Sequence, residues 1–304
     1  MVYRVPVKAY SMDHSRWTTK YKSIRTAVLG LHVVSWNVDF MAPDTAGRVT
    51  AVIDHLRRKV LHETPQPSCI LLQELDHSSF AAILSNDWVR KHYAVTPPDI
   101  RRWATGYGVA TLVSRHMNIL SASMMQFSGS SMGRTALFVD VELAMPEPLG
   151  LRDRRVLRIA NTHLESLPIG AGQRPLQLRA IASFLRAPGI DAGLVAGDMN
   201  VIAPADESIH IFANLEDACT DESEKAFTWG YQPRSRYPPG RLDRMFSVPG
   251  TLDYASPLEV IGKGVKTPRG MWASDHYGLK AHVKLPFDSD EDSAQPAGKR
   301  RRWF

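Results

Sequence analysis

Five times in this chain an apolar run meets an acid, an amide or a histidine. Asn37 closes LHVVSWN, Glu74 closes CILLQE, His163 closes VLRIANTH, Asp198 and Asn200 close GLVAGDMN, and Asp275-His276 stand just ahead of YGLKAHVKL. Apolar residues anchor a strand in the core, so a polar residue at its tip is held at the rim of a sheet, where a ligand can reach it. Taken singly, each has a plainer use: Asn37 in a turn, Glu74 capping the next helix, His163 as a satisfied core histidine, Asp198 in a turn after glycine, Asp275 as an N-cap or ion-pair partner. One shared site accounts for all of them at once.

The residue types suit metal-assisted hydrolysis at phosphorus. Glu74 and Asn37 offer the oxygen donors that a hard divalent cation prefers. Asp198 with Asn200 can align or deprotonate a water. His276 as a cation, together with Asn37, can stabilise negative charge on phosphoryl oxygens. A histidine in that role needs a carboxylate to orient it, and Asp243, in the run Arg241-Leu242-Asp243-Arg244, is the candidate.

The elements needed to position these residues alternate along the chain. Strands are expected at 31–38, 68–72, 109–114, 119–127, 135–143, 156–162, 193–196, 242–248, 258–261 and 277–285. Val49, Val52, Ile53, Leu56 and Val60 fall at helical spacing in a helix over 46–63, which Pro65 and Pro67 close; a second helix is expected over 177–185. The strands over 119–127 and 135–143 alternate best, which predicts one wet sheet face. Residues 1–28 read as an irregular lead-in from which Trp17 and Tyr21 can pack onto the domain. Pro146, Pro148 and Gly150 mark a surface loop. The domain itself spans 29–287, and 288–304 form a disordered tail, acidic over Asp288–Ser293 and basic over Lys299–Arg302.

The chain has 304 residues, 44% hydrophobic and 22% charged, enough for one large core. Its two cysteines, Cys69 and Cys219, have neither the number nor the spacing for a disulfide framework or a zinc site. A formal net charge of +6 favours a polyanionic partner. No run approaches the roughly 18 apolar residues of a membrane span. The acid-poor N-terminus has something of a mitochondrial presequence, but it lacks an amphipathic stripe and Pro6 interrupts it.

Trp36-Asn37, Leu72-Gln73-Glu74, Gly197-Asp198-Met199-Asn200 and Ser274-Asp275-His276 occur in the order seen in the endonuclease/exonuclease/phosphatase superfamily, and the resemblance covers residues 30–285. Within it the chain is most similar to the 5′-tyrosyl-DNA phosphodiesterases of the tyrosyl-DNA phosphodiesterase 2 type. Met132-Gly133-Arg134, Thr162-His163-Leu164-Glu165-Ser166 with Gln177-Leu178, Phe227-Thr228-Trp229, Leu242-Asp243-Arg244 and Asp275-His276-Tyr277-Gly278-Leu279 carry that likeness. Two stretches depart from the pattern: Trp36-Asn37-Val38-Asp39-Phe40 has no glycine after the aspartate, and Gly172-Gln173-Arg174-Pro175 has no acid before the arginine.

The resemblance implies a four-layer α/β sandwich, with two mixed sheets face to face and helices outside. It implies Mg²⁺ or Mn²⁺ on Glu74, water alignment by Asp198 and Asn200, and phosphate contacts from Asn37, His163, Ser166 and His276. Asp243 would orient His276, and Asp275 would serve in the metal's outer shell or on a second metal. Tyr107, Arg134 and Trp229 would line a DNA groove, with Trp229 against a base. The expected substrate is DNA carrying a 5′-phosphotyrosyl adduct left by topoisomerase II. The expected enzyme is a monomer, off the membrane and in the nucleus, with no ubiquitin-binding module ahead of the first strand.

Sibling enzymes of the superfamily remain alternatives, since an abasic-site endonuclease, an RNA nuclease or deadenylase, or a phosphodiesterase of inositol or lipid substrates shares the metal and water set. A non-catalytic nucleic-acid-binding module is a further alternative; it would be expected to lose Glu74, Asp198 or His276, and none is lost.

Overall fold

The computed structural model describes residues 1–21, 28–144 and 154–286. In chain order the elements are β1 (Val2–Arg4), β2 (Lys8–Ser11), β3 (Arg16–Thr18), β4 (Gly30–Asn37), α1 (Thr45–His55), β5 (Ser68–Asp76), α2 (His77–Ser85), α3 (Asp87–His92), β6 (Tyr93–Thr96), β7 (Tyr107–Ser114), β8 (Asn118–Gln126) and β9 (Thr135–Ala144). They continue with β10 (Arg154–His163), α4 (Arg174–Leu185), β11 (Ala192–Asp198), α5 (Ile209–Phe212), β12 (Glu216–Asp217), β13 (Asp243–Ser247), β14 (Asp253–Tyr254), β15 (Glu259–Ile261) and β16 (Gly278–Lys284).

Among the described residues the strands form two mixed sheets. One has seven strands in the order β1-β8-β9-β10-β11-β13-β12; the other has nine, in the order β14-β16-β4-β5-β7-β6-β2-β3 with β15 beside β16. Leu31, Val33, Cys69 and Leu71 of the second sheet meet Ile159, Leu194, Ala196 and Met245 of the first in a dry layer between them. The second sheet's other face (Val34, Trp36, Ile70, Leu72) is covered by Val52, Ile53, Phe80 and Val89 of α1–α3. The first sheet's other face (Phe138, Ala160, Val195, Phe246) is covered by Leu178, Ile181, Leu185 and Ile209 of α4 and α5. The expected helix–sheet–sheet–helix sandwich is therefore the observed one. Each buried Val, Leu, Ile, Phe or Met among these is worth about 1.5–3 kcal/mol, so the layering is set by the apolar pattern.

The N-terminal expectation is corrected. Over residues 2–18 the chain is not an irregular lead-in: β1 pairs antiparallel with β8, while β2 pairs with β6 and β3, so this stretch extends both sheets. Three- and four-residue edge strands give too short an alternation to stand out in sequence. Trp17 does pack onto the domain and donates its indole N–H to the Leu84 carbonyl at 3.2 Å. The wet face expected of β8 and β9 holds only for β8; β9 is buried on both sides from Thr135 to Val141. The Pro146–Gly150 loop and the acidic and basic tail lie outside the described residues.

Two pairs of parallel strands aim the site. β4 runs parallel to β5, with Asn37 opposite Gln73, and β10 runs parallel to β11, with His163 opposite Asp198. β13 then sets Asp243 opposite Asp198, so His163, Asp198 and Asp243 form a row across three neighbouring strands. Gln73 and Asn161 join the sheets beneath this row: Gln73 Nε2 donates to Asn161 Oδ1 at 2.8 Å, both fully buried. Gly197 is obligatory, because a Cβ there would lie 1.8 Å from the Thr162 carbonyl oxygen.

Candidate active site

The sequence motifs lock one another in place. Trp36 Nε1 donates to the His276 carbonyl at 3.1 Å, and the Ser274 hydroxyl donates to the Asn37 carbonyl at 2.6 Å while accepting from the His276 N–H at 3.0 Å. Asn37 and His276, far apart in sequence, are thereby held face to face. Glu74 sits at a bulge in β5 between Leu72 and Leu75, with φ of 57°. Asn200 also has positive φ, 49°. Both are strained positions for a side-chain-bearing residue and both fall in the site. Glu74 does not cap the following helix. Asp76 does: its Oδ1 accepts from the Ser79 N–H at 2.7 Å.

Asp198 is the centre of the cluster. It is buried, its Oδ1 accepts from the Asn200 N–H at 2.9 Å, and its Oδ2 accepts from Asn37 Nδ2 at 3.0 Å. His163 Nε2 lies 3.3 Å from the same Oδ2 and His276 Nε2 lies 3.8 Å from it. Burial alone would raise the Asp198 pKa, but the two histidines, the Asn200 amide and Asn37 outweigh it and hold it below the usual value. The carboxylate therefore stays ionised and available to orient a water.

The two histidines have opposite charge states. His163 Nδ1 is 2.9 Å from Arg134 Nη1. A guanidinium can only donate, so Nδ1 accepts and the ring proton sits on Nε2, pointing at Asp198. Burial and the Arg134 charge push the His163 pKa down to about 3, so the ring is neutral. His276 Nδ1 is 2.7 Å from Asp243 Oδ2. Burial opposes its protonation too, but Asp243, Asp275 and Asp198 overcome it and raise its pKa well above the ordinary imidazole value. It is a cation whose free Nε2–H faces the cleft. The orienting role expected of Asp243 is the role its geometry fits.

Glu74 Oε1 accepts from Asn37 Nδ2 at 3.2 Å and Oε2 accepts from the Phe40 N–H at 3.2 Å. Burial raises its pKa to about 7, with Asp198 and Asp275 adding to the rise. A buried acid beside further acids is a place where an added cation is favoured. Ligand atoms of Glu74, His163 and Asp198 lie within 4.8 Å of one another, as do those of Asp198, Asp243 and His276. The histidines are poor ligands here, because Arg134 and Asp243 occupy their Nδ1 atoms and their Nε2 atoms carry protons. The donor set that fits a hard divalent ion is the carboxylate oxygens, Glu74 first.

Two of the residues expected near a metal are held by protein partners. Asn37 presents its amide nitrogen to Glu74 and Asp198, while its oxygen accepts from the Asp39 N–H at 3.0 Å. In this arrangement it clamps two carboxylates. Asp275 stands 3.9 Å from His276 Nε2 and accepts the Trp229 indole N–H at 2.9 Å, outside both close clusters. Its geometry at present is that of a partner for Trp229 and His276.

The residues expected on the substrate side lie around the same cleft. The Ser166 hydroxyl donates to Asn200 Oδ1 at 3.1 Å. Arg134 packs 5.5 Å from the Tyr107 ring, and both border the cleft beside Glu74 and His163. Trp229 forms a bridge with His276 and is partly buried at the rim.

Three features escaped the sequence reading. Phe40 stacks on Tyr107, with centroids 3.9 Å apart and planes 11° from parallel, where a glycine had been expected beside the first motif. Arg174, fully buried, is paired not with an acid before it but with Asp206 at 2.8 Å; it also donates to the Glu165 and Leu167 carbonyls on either side of Ser166. Glu165 accepts from Ser130, Ser131, the Met132 N–H and Gln177, which pins the loop that carries Arg134. The motif had included Glu165 and Gln177, but not their bond to each other or the loop they pin.

This fold, with acids and histidines gathered where the two sheets' central strands end, defines a phosphoesterase scaffold. The chain belongs to the Endonuclease/Exonuclease/phosphatase family, whose pattern matches residues 34–276. Enzymes of this family are divalent-metal-dependent hydrolases of phosphoester bonds. Among solved structures the chain is similar to Danio rerio TDP2 complexed with single-strand DNA product (21% identity, TM-score 0.67, 84% of this chain and 99% of that one). It is also similar to a truncated Caenorhabditis elegans TDP2 (20%, 0.63, 84% and 98%) and to the human Nocturnin catalytic domain with bound sulfate (19%, 0.58, 85% and 96%). Likeness at these identities establishes the fold. Comparison with curated protein sequences finds no match. Among the described residues no helix is long and apolar enough to cross a membrane.

Proposed function

We propose that the chain is a metal-dependent phosphodiesterase that hydrolyses the bond between a DNA 5′-phosphate and a tyrosine oxygen, leaving a 5′-phosphate. The observation that carries this reading is the ionised Asp198 placed between a neutral and a cationic histidine, with the Trp229 ring at the edge of the same cleft. Glu74 would hold Mg²⁺ or Mn²⁺, with Asp275 in its surroundings; when bound, the ion supplies positive charge to a non-bridging phosphoryl oxygen.

Asp198 orients water for attack in line with the leaving oxygen and takes its proton as the new phosphorus–oxygen bond forms, passing it to solvent; the Nε2–H of His163 and the N–H of Asn200 steady the carboxylate. The His276 imidazolium donates from Nε2 to a phosphoryl oxygen as negative charge builds there. Asp243 keeps that proton in place through Nδ1. Asn200 and Ser166 fix the opposite wall, and Arg134 meets phosphate or sugar while holding His163 neutral. The phosphorus–oxygen bond to tyrosine then breaks. Phenol has a pKa near 10, so its phenolate leaves without a strong general acid and takes a proton from solvent.

The likeness to a TDP2 structure holding a DNA product supports a nucleic-acid strand in this cleft. The adduct left by topoisomerase II is the substrate that this chemistry suits, and with it a monomer working in the nucleus. A panel of single strands tests the reading: one with a 5′-phosphotyrosine, one with an abasic site and one of matched RNA, each with Mg²⁺ and with EDTA. Release of 5′-phosphorylated DNA from the first alone is expected. Cleavage of only the abasic or RNA strand would keep the metal chemistry and discard the tyrosyl specificity.

A further inference from the structure

Beside His276 the chain builds a surface that runs on beyond the hydrolytic site. Segments 227–232 and 274–278 run antiparallel, joined by the Trp229–His276 bridge and by the Tyr277 N–H donating to the Thr228 carbonyl at 2.6 Å. Their burial alternates strictly. Thr228, Gly230, Gln232, Ser274, His276 and Gly278 are buried; Phe227, Trp229, Tyr231, Asp275 and Tyr277 face out. Side chains two residues apart share one face of an extended segment. Trp229 donates its indole N–H to Asp275 at 2.9 Å at the catalytic rim, and two residues further along each segment stand Tyr231 and Tyr277.

These two tyrosines form a prepared stack. Their rings are 7° from parallel, with centroids 6.0 Å apart, and Lys263 Nζ lies 5.7 Å above the Tyr277 ring. Arg234, bridged to Tyr231, and Lys263 are exposed beside them. Glu224, near the Tyr231 hydroxyl, is an acid on the outer side. Neither ring helps fill any of the hydrophobic core clusters. A row of aromatic faces edged by cations is what a flexible polyanion of stackable bases recognises.

We propose that Tyr231 and Tyr277 form a second base-stacking site, onto which a single strand of nucleic acid passes from Trp229, with a backbone phosphate against Lys263. This deepens the phosphodiesterase reading and rests on it for the direction from which the strand arrives. The site reads bases by their faces and the backbone by its charge, so DNA and RNA strands share its chemistry, and arms with each separate the two sources.

The test is fluorescence anisotropy of labelled single-stranded DNA and RNA without metal, on the full chain. Wild type is compared with Tyr231→Ala, Tyr231→Phe and Lys263→Gln, with metal-dependent release of 5′-phosphate from a phosphotyrosyl strand measured beside it. Tyr231→Ala is expected to weaken binding of a long strand about tenfold, and of a strand of roughly two nucleotides much less. Tyr231→Phe keeps the ring and should restore the affinity. Lys263→Gln should lower the salt slope of binding by about one. Equal affinity of wild type and Tyr231→Ala for every strand, or failure of Tyr231→Phe to restore it, overturns the stacking site. If wild type cleaves the phosphotyrosyl strand in that case, the phosphodiesterase reading stands without the shelf. If wild type cleaves nothing but Tyr231→Ala still loses the long strand, the shelf stands and the tyrosyl reading falls.

Discussion

The two flanks of the cleft put the same side chain to opposite uses. On one flank a cation, Arg134, occupies His163 Nδ1 and keeps the ring neutral. On the other an anion, Asp243, occupies His276 Nδ1 and keeps the ring charged. Both rings then turn Nε2 towards Asp198 Oδ2. A histidine's role here is thus set by the residue behind it. One flank positions a water-orienting carboxylate, and the other places positive charge where the phosphoryl group will carry negative charge.

Removing the partner behind His276 should have the largest effect. Asp243→Asn is expected to lower kcat about 10²–10⁴-fold, since it removes the charge that holds the imidazolium. Steady-state kinetics on a phosphotyrosyl strand would show it, and an effect under about threefold would end the division of roles between the flanks.

The His163 flank also depends on a deeper pair. Arg174→Met leaves the buried Asp206 with only the Ile202 and Ala203 N–H groups and no counter-charge, and is expected to cost about 3–5 kcal/mol of stability, read by chemical denaturation. Lys263→Gln, at an exposed cation, serves as the comparison and should change stability by less than about 0.5 kcal/mol. Arg134→Met should come next, with kcat/KM down about 10–100-fold, because His163 loses its lock while Asp198 keeps its other partners.

The smallest effect is at Glu165. Burial would raise its carboxyl, but bonds from Ser130, Ser131, Gln177 and the Met132 amide bring it from 4.5 down to about 2. A pKa lowered by folding means stability that is complete above about pH 4.5 and drains away as pH falls towards 2. Glu165→Gln should therefore melt earlier than wild type at neutral pH, and the gap should shrink as the solution is acidified. A constant gap would place the role of Glu165 in shape and not in charge.

Most of the site was legible because strand tips are marked twice, by an apolar run and by the polar residue that ends it. Asn37, Glu74, His163, Asp198 and His276 all carry that mark, and the long strands follow from the same runs. The edge strands over residues 2–18 and the helices α2 and α3 are too short for periodicity to reveal. The signals left for α2 were local, in Asp76 and Ser79 of its capping box. The Arg174–Asp206 pair and the Phe40–Tyr107 stack join residues distant in sequence, and no spacing rule links them. Asn37 shows a further limit: its type suggested an oxygen ligand, while the side chain's rotation, fixed by Asp39, turns its nitrogen to the acids.

The central claim is that Asp198 drives metal-dependent release of tyrosine from a 5′-phosphotyrosyl strand. The most direct measurement incubates that strand with wild type and with Asp198→Asn, in Mg²⁺ and in EDTA, and follows the 5′-phosphorylated product. Release by wild type in Mg²⁺ alone, with Asp198→Asn slower by at least about a hundredfold, is the predicted result. Full turnover by Asp198→Asn, or by wild type in EDTA, would contradict it.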